Sequence, residues 1–405
     1  MRIEIKPSRA KGTVTAPTSK SIAHRMLIAA ALANGKSELY GISDCQDVSA
    51  TVGCLRALGA KIDTDEDGKY TVFGIDIKNA SPCGELFAGE SGSTLRFLIP
   101  IASLTNKEIN FGGAGRLMER PLAIYEEIFK EKGLYFRRAC GKVTVNGSLP
   151  AGEYTLPGDV SSQFITGLIL ALPLTGEASR IKILPPIESR SYIDMTLDAV
   201  RAFGIDAKFT DEFTIEIAPS KYEPRSLTVE GDYSGSAFIE ALNLFDGEVS
   251  VLGLSERSLQ GDRAYREHFP ALCRGFARID ISDCPDLGPI LFAVAAAKHG
   301  GEFIGTARLR IKESDRAEAM KQELMKLGAR VEVYDNSVTV KPCVLTEPKE
   351  AIQSHNDHRI VMAMAVLLTL TGGEIEGAEA IDKSYPDFFR HIKSLGIRAE
   401  IQNEA

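Results

Sequence analysis

The sequence predicts an α/β protein of two domains assembled from six similar repeats. Three observations carry this expectation. The chain has 405 residues, enough for two or three domains with ample core. Six apolar helices open on small polar residues at a nearly constant spacing. Six further helices end at a glycine that leads into a strand, and they keep the same phase.

The elements follow in order. "MRIEIKPS" opens directly as a strand, with no charged-then-apolar leader. The apolar helices are "TSKSIAHRMLIAAALA", "ESGSTLRFLIPIASL", "DVSSQFITGLILALPL", "EGDYSGSAFIEALNLF", "SDCPDLGPILFAVAAA" and "HNDHRIVMAMAVLLTL". With Ser21, Ser93, Ser162, Ser234, Asp286 and Asp357 marking their first turns, successive gaps are 72, 69, 72, 52 and 71 residues. The helix-ending glycines Gly59, Gly133, Gly204, Gly275, Gly328 and Gly396 lie 74, 71, 71, 53 and 68 apart. Both series share one short interval at the same place. Each repeat therefore reads as a buried helix, a strand, an amphipathic helix with a Gly cap, then strand–turn–strand. The fourth is curtailed after Gly275. Helices apolar nearly all round must be enclosed by other elements. Three repeats per domain would bring three helix N-termini, each partly positive, toward one anion-favouring cleft. Pro219, Pro224 and the charges of "APSKYEPRSLTVEGD" mark the boundary, giving domains of 13–224 and of 1–12 with 225–405.

Composition excludes several classes. A formal net charge of -8 argues against general attraction to nucleic acid or anionic membrane, so any cation cluster points to a small anionic ligand. The seven cysteines are scattered, odd in number and without a CxxC pair, which fits reduced thiols in a cytoplasm. No apolar run reaches membrane-span length.

Cations gather at the helix starts. "APTSKSIAHR" places Lys20, Ser21 and Arg25 at a first turn whose free N–H groups already favour anions. "GRLMERPL" holds Arg116 and Arg120 before a helix in which Pro121 can occupy the first turn. "ARLRIKESDRAEAM" offers Lys312, Glu313 and Arg316 with Ser314 as a cap, and "DKSYPDFF" offers Lys383. Each alone reads as a surface ion pair. Arg359 does not, because it directly precedes the most apolar helix and needs an anionic partner if buried. His355, Asp357 and His358 lack a further ligand motif for a metal site. Ser161, Ser162 and Gln163 in "SSQF" have no accompanying His/Asp pair and read as a hydrogen-bonding clamp, not a nucleophile.

The motifs "PTSKSIAHRMLIAAALANGKS", "GRLMERP", "SSQF", "KESDR", "NDHR" and "DKSYPDFF" occur in the order seen in the 5-enolpyruvylshikimate-3-phosphate synthase family, which the chain resembles along essentially its whole length. The resemblance implies an enolpyruvyl transferase fold of two domains, each with three βαββαβ-type repeats. It implies transfer of the enolpyruvyl group of phosphoenolpyruvate to the 5-hydroxyl of shikimate 3-phosphate, through a tetrahedral intermediate, with no cofactor or metal. By similarity, Lys20, Ser21, Arg25, Ser161, Ser162, Gln163, Ser189, Asp286 and Lys312 would hold shikimate 3-phosphate, with Tyr192 nearby. Lys20, Gly92, Arg120, Gln163, Arg316, Arg359 and Lys383 would surround phosphoenolpyruvate. Asp286 would be the base toward the hydroxyl and Glu313 the acid at carbon, with Lys20 assisting. His358 would orient Arg359, and domain closure would exclude water. A monomeric cytoplasmic enzyme is expected.

Three positions depart from the family pattern. Glu90 and Ser93 stand where Asn and Thr are more frequent, and Arg308 stands where some members have Asn. Two other readings stay open. The UDP-N-acetylglucosamine enolpyruvyl transferases share fold and chemistry but typically carry a reactive cysteine in the loop matching "GGAGRLMERP", and no cysteine falls between Cys83 and Cys140 here. A non-catalytic anion-binding repeat protein is the other.

Overall fold

The computed structural model describes residues 1–66 and 68–402. Helices come in pairs, one pair per repeat: α1 (Lys20–Leu32) and α2 (Gln46–Ala57); α3 (Gly92–Ser103) and α4 (Ala123–Glu131); α5 (Ser162–Ala171) and α6 (Arg190–Ala202); α7 (Tyr233–Glu240) and α8 (Tyr265–Arg274); α9 (Gly288–Ala297) and α10 (Arg316–Lys326); α11 (His358–Thr371) and α12 (Phe388–Ser394). The first of each pair is the apolar helix. In α9 every residue from Gly288 to Ala296 is buried, and in α11 every residue from His358 to Thr369. No described helix is long and apolar enough to cross a membrane.

Each full repeat builds one four-stranded sheet with a constant plan. In the second repeat the order is Leu86–Phe87, Ile109–Gly112, Lys142–Asn146, Tyr135–Ala139. The first two are parallel and the others antiparallel, because a helix separates the first pair and a tight turn joins the last. The two-domain α/β class with six repeats holds. Within a repeat, however, the chain runs βαβαββ and not βαββαβ: one strand separates the helices and the hairpin comes last. Two of the full repeats borrow a strand. Ser226–Thr228 leads the first sheet beside Lys36–Tyr40, and Arg2–Lys6 sits between Gly373–Glu376 and Arg398–Gln402 in the sixth.

The curtailed fourth repeat has a structural cause. Ala277–Asp280, which follows α8, does not turn back as a hairpin but becomes the lead strand of the fifth sheet beside Gly301–Ile304. The two strands of the hairpin and the turn between them are therefore missing, which shortens both marker series at once. What remains of the fourth sheet is Glu248–Leu252 paired with Lys11–Thr15. The glycines agree. Gly59, Gly133, Gly204, Gly328 and Gly396 have φ of +113, +69, +87, +94 and +90°, the left-handed region that ends a helix, whereas Gly275 has φ 167°, ordinary extended backbone.

The chain forms two compact bodies, Thr18–Glu230 and Met1–Pro17 with Gly231–Ala405, each with its own hydrophobic core. These divisions lie a few residues beyond the expected ones for a reason of pairing. Ser226–Thr228 stays with the strand Lys36–Tyr40, and Lys11–Thr15 with Glu248–Leu252.

The glycine contrast yields a stability prediction. Both Gly133 and Gly275 have open space where a Cβ would sit, so only backbone conformation distinguishes them. Gly133→Ala should cost about 1 kcal/mol in urea unfolding, and Gly275→Ala close to nothing. Equal losses would contradict the assignment of Gly133 as a left-handed helix end.

Candidate active site

The 18–230 body gathers its cations around the starts of α1, α3 and α5. Lys20 is the first residue of α1, and its Nζ lies 2.7 Å from Asp47 Oδ2 on α2, with both side chains largely buried. Arg25, one turn further, is held wholly by neutral oxygens. Its Nη1 donates to Ser21 O at 2.6 Å, Nε to Thr196 Oγ1 at 2.8 Å, and Nη2 to Tyr192 O at 3.1 Å. Thr166 Oγ1 lies 3.5 Å from Nη2, and the guanidinium sits over the Phe97 ring. Burial pulls Arg25 down to about 10, so an arriving anion would recover charge stabilisation that this site withholds. Tyr192 contributes its carbonyl, and Ser189 starts the same helix with a left-handed φ of 54°.

The phosphoenolpyruvate candidates of this body also meet. Gln163 on α5 donates from Nε2 to Ser93 Oγ at 3.0 Å and accepts at Oε1 from Arg96 Nη1 at 2.6 Å. A Cβ on Gly92 would lie 2.8 Å from Arg120 Nη1 and 3.4 Å from both Arg96 Nη1 and Gln163 Oε1. Gly92 is thus the opening through which these polar groups approach one backbone segment. Ser161 caps α5 by accepting from Gln163 N at 3.3 Å, while Ser162 lies inside the helix and is buried. Glu90 packs against Gly115, where a Cβ would stand 2.5 Å from Oε2. Arg116 is exposed and faces Glu119 at 3.7 Å. Pro121 is not in a helical first turn: α4 begins at Ala123, and Pro121 instead offers its carbonyl to Arg96 Nη2 at 3.1 Å.

The other body assembles an ion cluster. Arg316 is 1 % exposed and faces three carboxylates: Nε donates to Asp357 Oδ2 at 2.8 Å, Nη1 to Asp286 Oδ1 at 2.8 Å, and Nη2 to Glu313 Oε2 at 2.5 Å. Although burial works against its charge, the carboxylates of Asp357, Glu313 and Asp286 hold it above its ordinary value. Asp286 also receives Lys312 Nζ at 3.3 Å and Arg359 Nη2 at 2.7 Å. Burial lowers Lys312 despite that carboxylate. Arg359 Nη1 donates to Ser234 Oγ at 2.6 Å and to Asp286 O at 3.1 Å, so the first turns of α7 and α11 and the short turn before α9 touch directly.

The remaining candidates show what local signals missed. Lys383 donates to Asn356 O at 2.6 Å, a carbonyl presented by the consecutive left-handed residues His355 and Asn356. His355 Nε2 is 2.8 Å from Glu323 Oε1. His358 is buried with Nδ1 3.9 Å from Asp357 Oδ1, too far for a hydrogen bond. Strong contacts orienting Arg359 come from Ser234 and Asp286. Ser314 does not cap α10; Asp315 does, accepting from Glu318 N at 3.2 Å, while Ser314 Oγ bonds to Asp357 Oδ2 at 3.1 Å. Arg308 is buried and donates to Ser282 O. Asp47, Arg96 and Asp262 carried no sequence signal, because their partners are distant in the chain.

Known proteins resemble this chain along its length. A profile of the family described as EPSP synthase (3-phosphoshikimate 1-carboxyvinyltransferase) matches residues 5–271 and 271–392. A protein of Clostridium kluyveri named 3-phosphoshikimate 1-carboxyvinyltransferase is 38 % identical, with 97 % of each chain covered. One of that name from Clostridium perfringens is also 38 % identical, with 98 % of each covered. Among solved structures, an EPSP synthase from Acinetobacter baumannii matches with a TM-score of 0.79 and 23 % identity over 99 % of this chain and 100 % of that one. The enolpyruvyl transferase NikO from Streptomyces tendae matches at 0.78 with 16 % identity over 98 % of both. At those identities the structures speak for the fold.

A pH prediction comes from His24, whose Nδ1 lies 2.7 Å from Thr51 Oγ1 inside the 18–230 body. Burial, then Lys20 and Arg25, hold His24 well below its ordinary value, so the folded state keeps it neutral. An unfolded histidine takes a proton near pH 6.5, so the folded state loses ground as pH falls below that value until the depressed folded value is reached. Between pH 6.5 and 5.5, His24→Asn should lose roughly 1 kcal/mol less stability than the wild type. Equal acid losses in urea unfolding at the two pH values would contradict a neutral buried His24.

Proposed function

The chain belongs to the EPSP synthase (3-phosphoshikimate 1-carboxyvinyltransferase) family, and from that membership we propose how its own residues carry the reaction. The enzyme transfers the enolpyruvyl group of phosphoenolpyruvate to the 5-hydroxyl of shikimate 3-phosphate and releases phosphate, a step toward chorismate and the aromatic amino acids. The observation that carries the residue assignment is the Asp286 cluster: one carboxylate gripped by Lys312, Arg316 and Arg359, with the acid Glu313 on the same arginine.

Two proton movements are required. The 5-hydroxyl loses its proton as its oxygen bonds to the central carbon of phosphoenolpyruvate, and the methylene carbon gains one. Elimination then removes a proton from the new methyl group while the bond to phosphate breaks. Asp286 serves as base toward the hydroxyl and Glu313 as acid at carbon, with Lys20 assisting. Three cations around Asp286 make it a poor base in the free protein. The carboxylate and phosphates of the substrates compete for those same cations, and each one drawn away raises the proton affinity of Asp286. Substrate binding therefore prepares the base.

Substrate anions are divided among named groups. Lys20, Ser21, Arg25, Ser161, Ser162, Gln163, Ser189 and Lys312 hold shikimate 3-phosphate. Lys20, Arg120, Gln163, Arg316, Arg359 and Lys383 take phosphoenolpyruvate, with Gly92 leaving room for it. The same cations stabilise negative charge as it develops on the departing phosphate. No cofactor is called for in this scheme. The seven cysteines are free thiols, which supports a cytoplasmic enzyme, and we read it as a monomer.

Phosphate release by purified protein tests the assignment, with shikimate 3-phosphate or UDP-N-acetylglucosamine as acceptor beside phosphoenolpyruvate. Release is expected only with shikimate 3-phosphate. Asp286→Asn and Glu313→Gln should each lower kcat by roughly a hundredfold or more in folded protein. Full activity in Asp286→Asn would remove it from the base's role, and release only with the nucleotide sugar would replace the acceptor.

A further inference from the structure

A buried carboxylate on α10 has no place in the reaction scheme, yet it braces the turn that meets Lys383. Glu323 is 1 % exposed and lies seven residues after Arg316, two helical turns along the same face. Arg316 holds Asp357 from the start of α10, and Glu323 holds the chain just before it. Glu323 Oε2 accepts from Gln353 N at 2.9 Å and pairs with Lys326 Nζ at 2.7 Å, while Oε1 lies 2.8 Å from His355 Nε2. Although burial works against its charge, the His355, Lys326 and Gln353 donors hold Glu323 below its ordinary value, so it remains an acceptor. His355 Nε2 must then carry the proton of that bond.

The backbone held in this way is costly. His355 and Asn356 have φ of 50 and 53°, left-handed values that a residue with a Cβ avoids unless its surroundings enforce them. Ser354 pins the turn from within. Its N–H donates to Glu376 O at 3.0 Å, its Oγ accepts from Asn356 N at 3.2 Å, and its carbonyl accepts from Asp357 N at 2.9 Å. The Glu323 bond fixes the His355 side chain. Asn356 O then stands 2.6 Å from Lys383 Nζ, a contact that helps set where the ammonium sits. We propose that Glu323 is a positioning residue for phosphoenolpyruvate binding, holding His355 in the left-handed turn so that Asn356 O keeps Lys383 in place. The inference rests on the assignment of Lys383 to phosphoenolpyruvate given above.

A carboxylate kept only to fasten α10 to the strand Ile352–Gln353 would need no more than the Gln353 N–H. The two readings divide at position 355. Glycine adopts positive φ about as readily as negative, so His355→Gly would keep the turn without an anchor. His355→Ala would retain the conformational cost and lose the bond that offsets it. Fastening of the strand would respond to neither change.

The test measures kcat, KM for each substrate and melting temperature in wild type, Glu323→Ala, His355→Ala, His355→Gly and the double variant Glu323→Ala/His355→Gly. Glu323→Ala and His355→Ala should each raise KM for phosphoenolpyruvate roughly fivefold or more, with KM for shikimate 3-phosphate within about twofold of wild type. In the double variant His355→Gly should recover most of that loss, while the melting temperature stays as low as in Glu323→Ala alone. An unchanged KM for phosphoenolpyruvate in folded Glu323→Ala, or no recovery in the double variant, would overturn the proposal. Should Glu323→Ala fail to fold, the His355 pair decides: equal KM values for phosphoenolpyruvate in His355→Ala and His355→Gly would overturn it equally. Lys383→Met separates the two possible failures. An active enzyme whose KM for phosphoenolpyruvate ignores that change would sink the Lys383 assignment and this inference with it. A raised KM in Lys383→Met beside indifferent Glu323 and His355 variants would sink the inference alone.

Discussion

Arg316 cannot be buried alone. A guanidinium at 1 % exposure has lost nearly all its water, and close carboxylates replace that solvation and hold it charged. Asp286, Glu313 and Asp357 supply it, from the turn before α9, the loop before α10 and the cap of α11. The ion cluster therefore holds together the starts of three helices that are far apart in the chain. Asp357 serves twice, capping α11 through the backbone N–H of Arg359 and accepting from Arg316. The interiors of α9 and α11 behind these starts are buried and uncharged, so their charged residues gather at the helix starts.

Arg25 is held differently from the arginines of the other body, and the difference matters for the chemistry. Around Arg25 the partners are carbonyl and hydroxyl oxygens, which orient the guanidinium without cancelling its charge. Around Arg316 and Arg359 the partners include carboxylates, which cancel charge and bring acids beside the cations. The first arrangement suits recognition of an anion. The second suits proton transfer, because any anion that draws a cation away changes the proton affinity of the acid left behind. One repeat, used three times in each body, thus supports two kinds of site through the residues at its helix starts.

What could be read from the sequence follows the range of the forces involved. Helix ends obey local rules, so the Ser and Gly series revealed the repeats and even the curtailed fourth one. The lead strands were not legible: Leu86–Phe87 and Ile352–Gln353 are two residues long and owe their existence to parallel partners more than twenty residues away. Caps were off by a residue or two where several candidates adjoin, as with Ser314 and Asp315. Arg359 stood out because a charge beside "IVMAMAVLL" demands a partner. Its partners Ser234 and Asp286 did not stand out as such, nor did Asp47 beside Lys20, since only tertiary packing brings them together. Individual substrate roles came from family resemblance alone.

The most direct test of the central claim is turnover in deuterium oxide, with mass analysis of the enolpyruvyl product. Addition followed by elimination passes through a methyl group, so one of its three hydrogens comes from solvent before any is lost. The account predicts deuterium in the product's methylene group, acquired at a rate that falls when Glu313 is replaced by Gln. A product formed at full rate without deuterium would contradict it, because the carbon would never have been protonated by the protein.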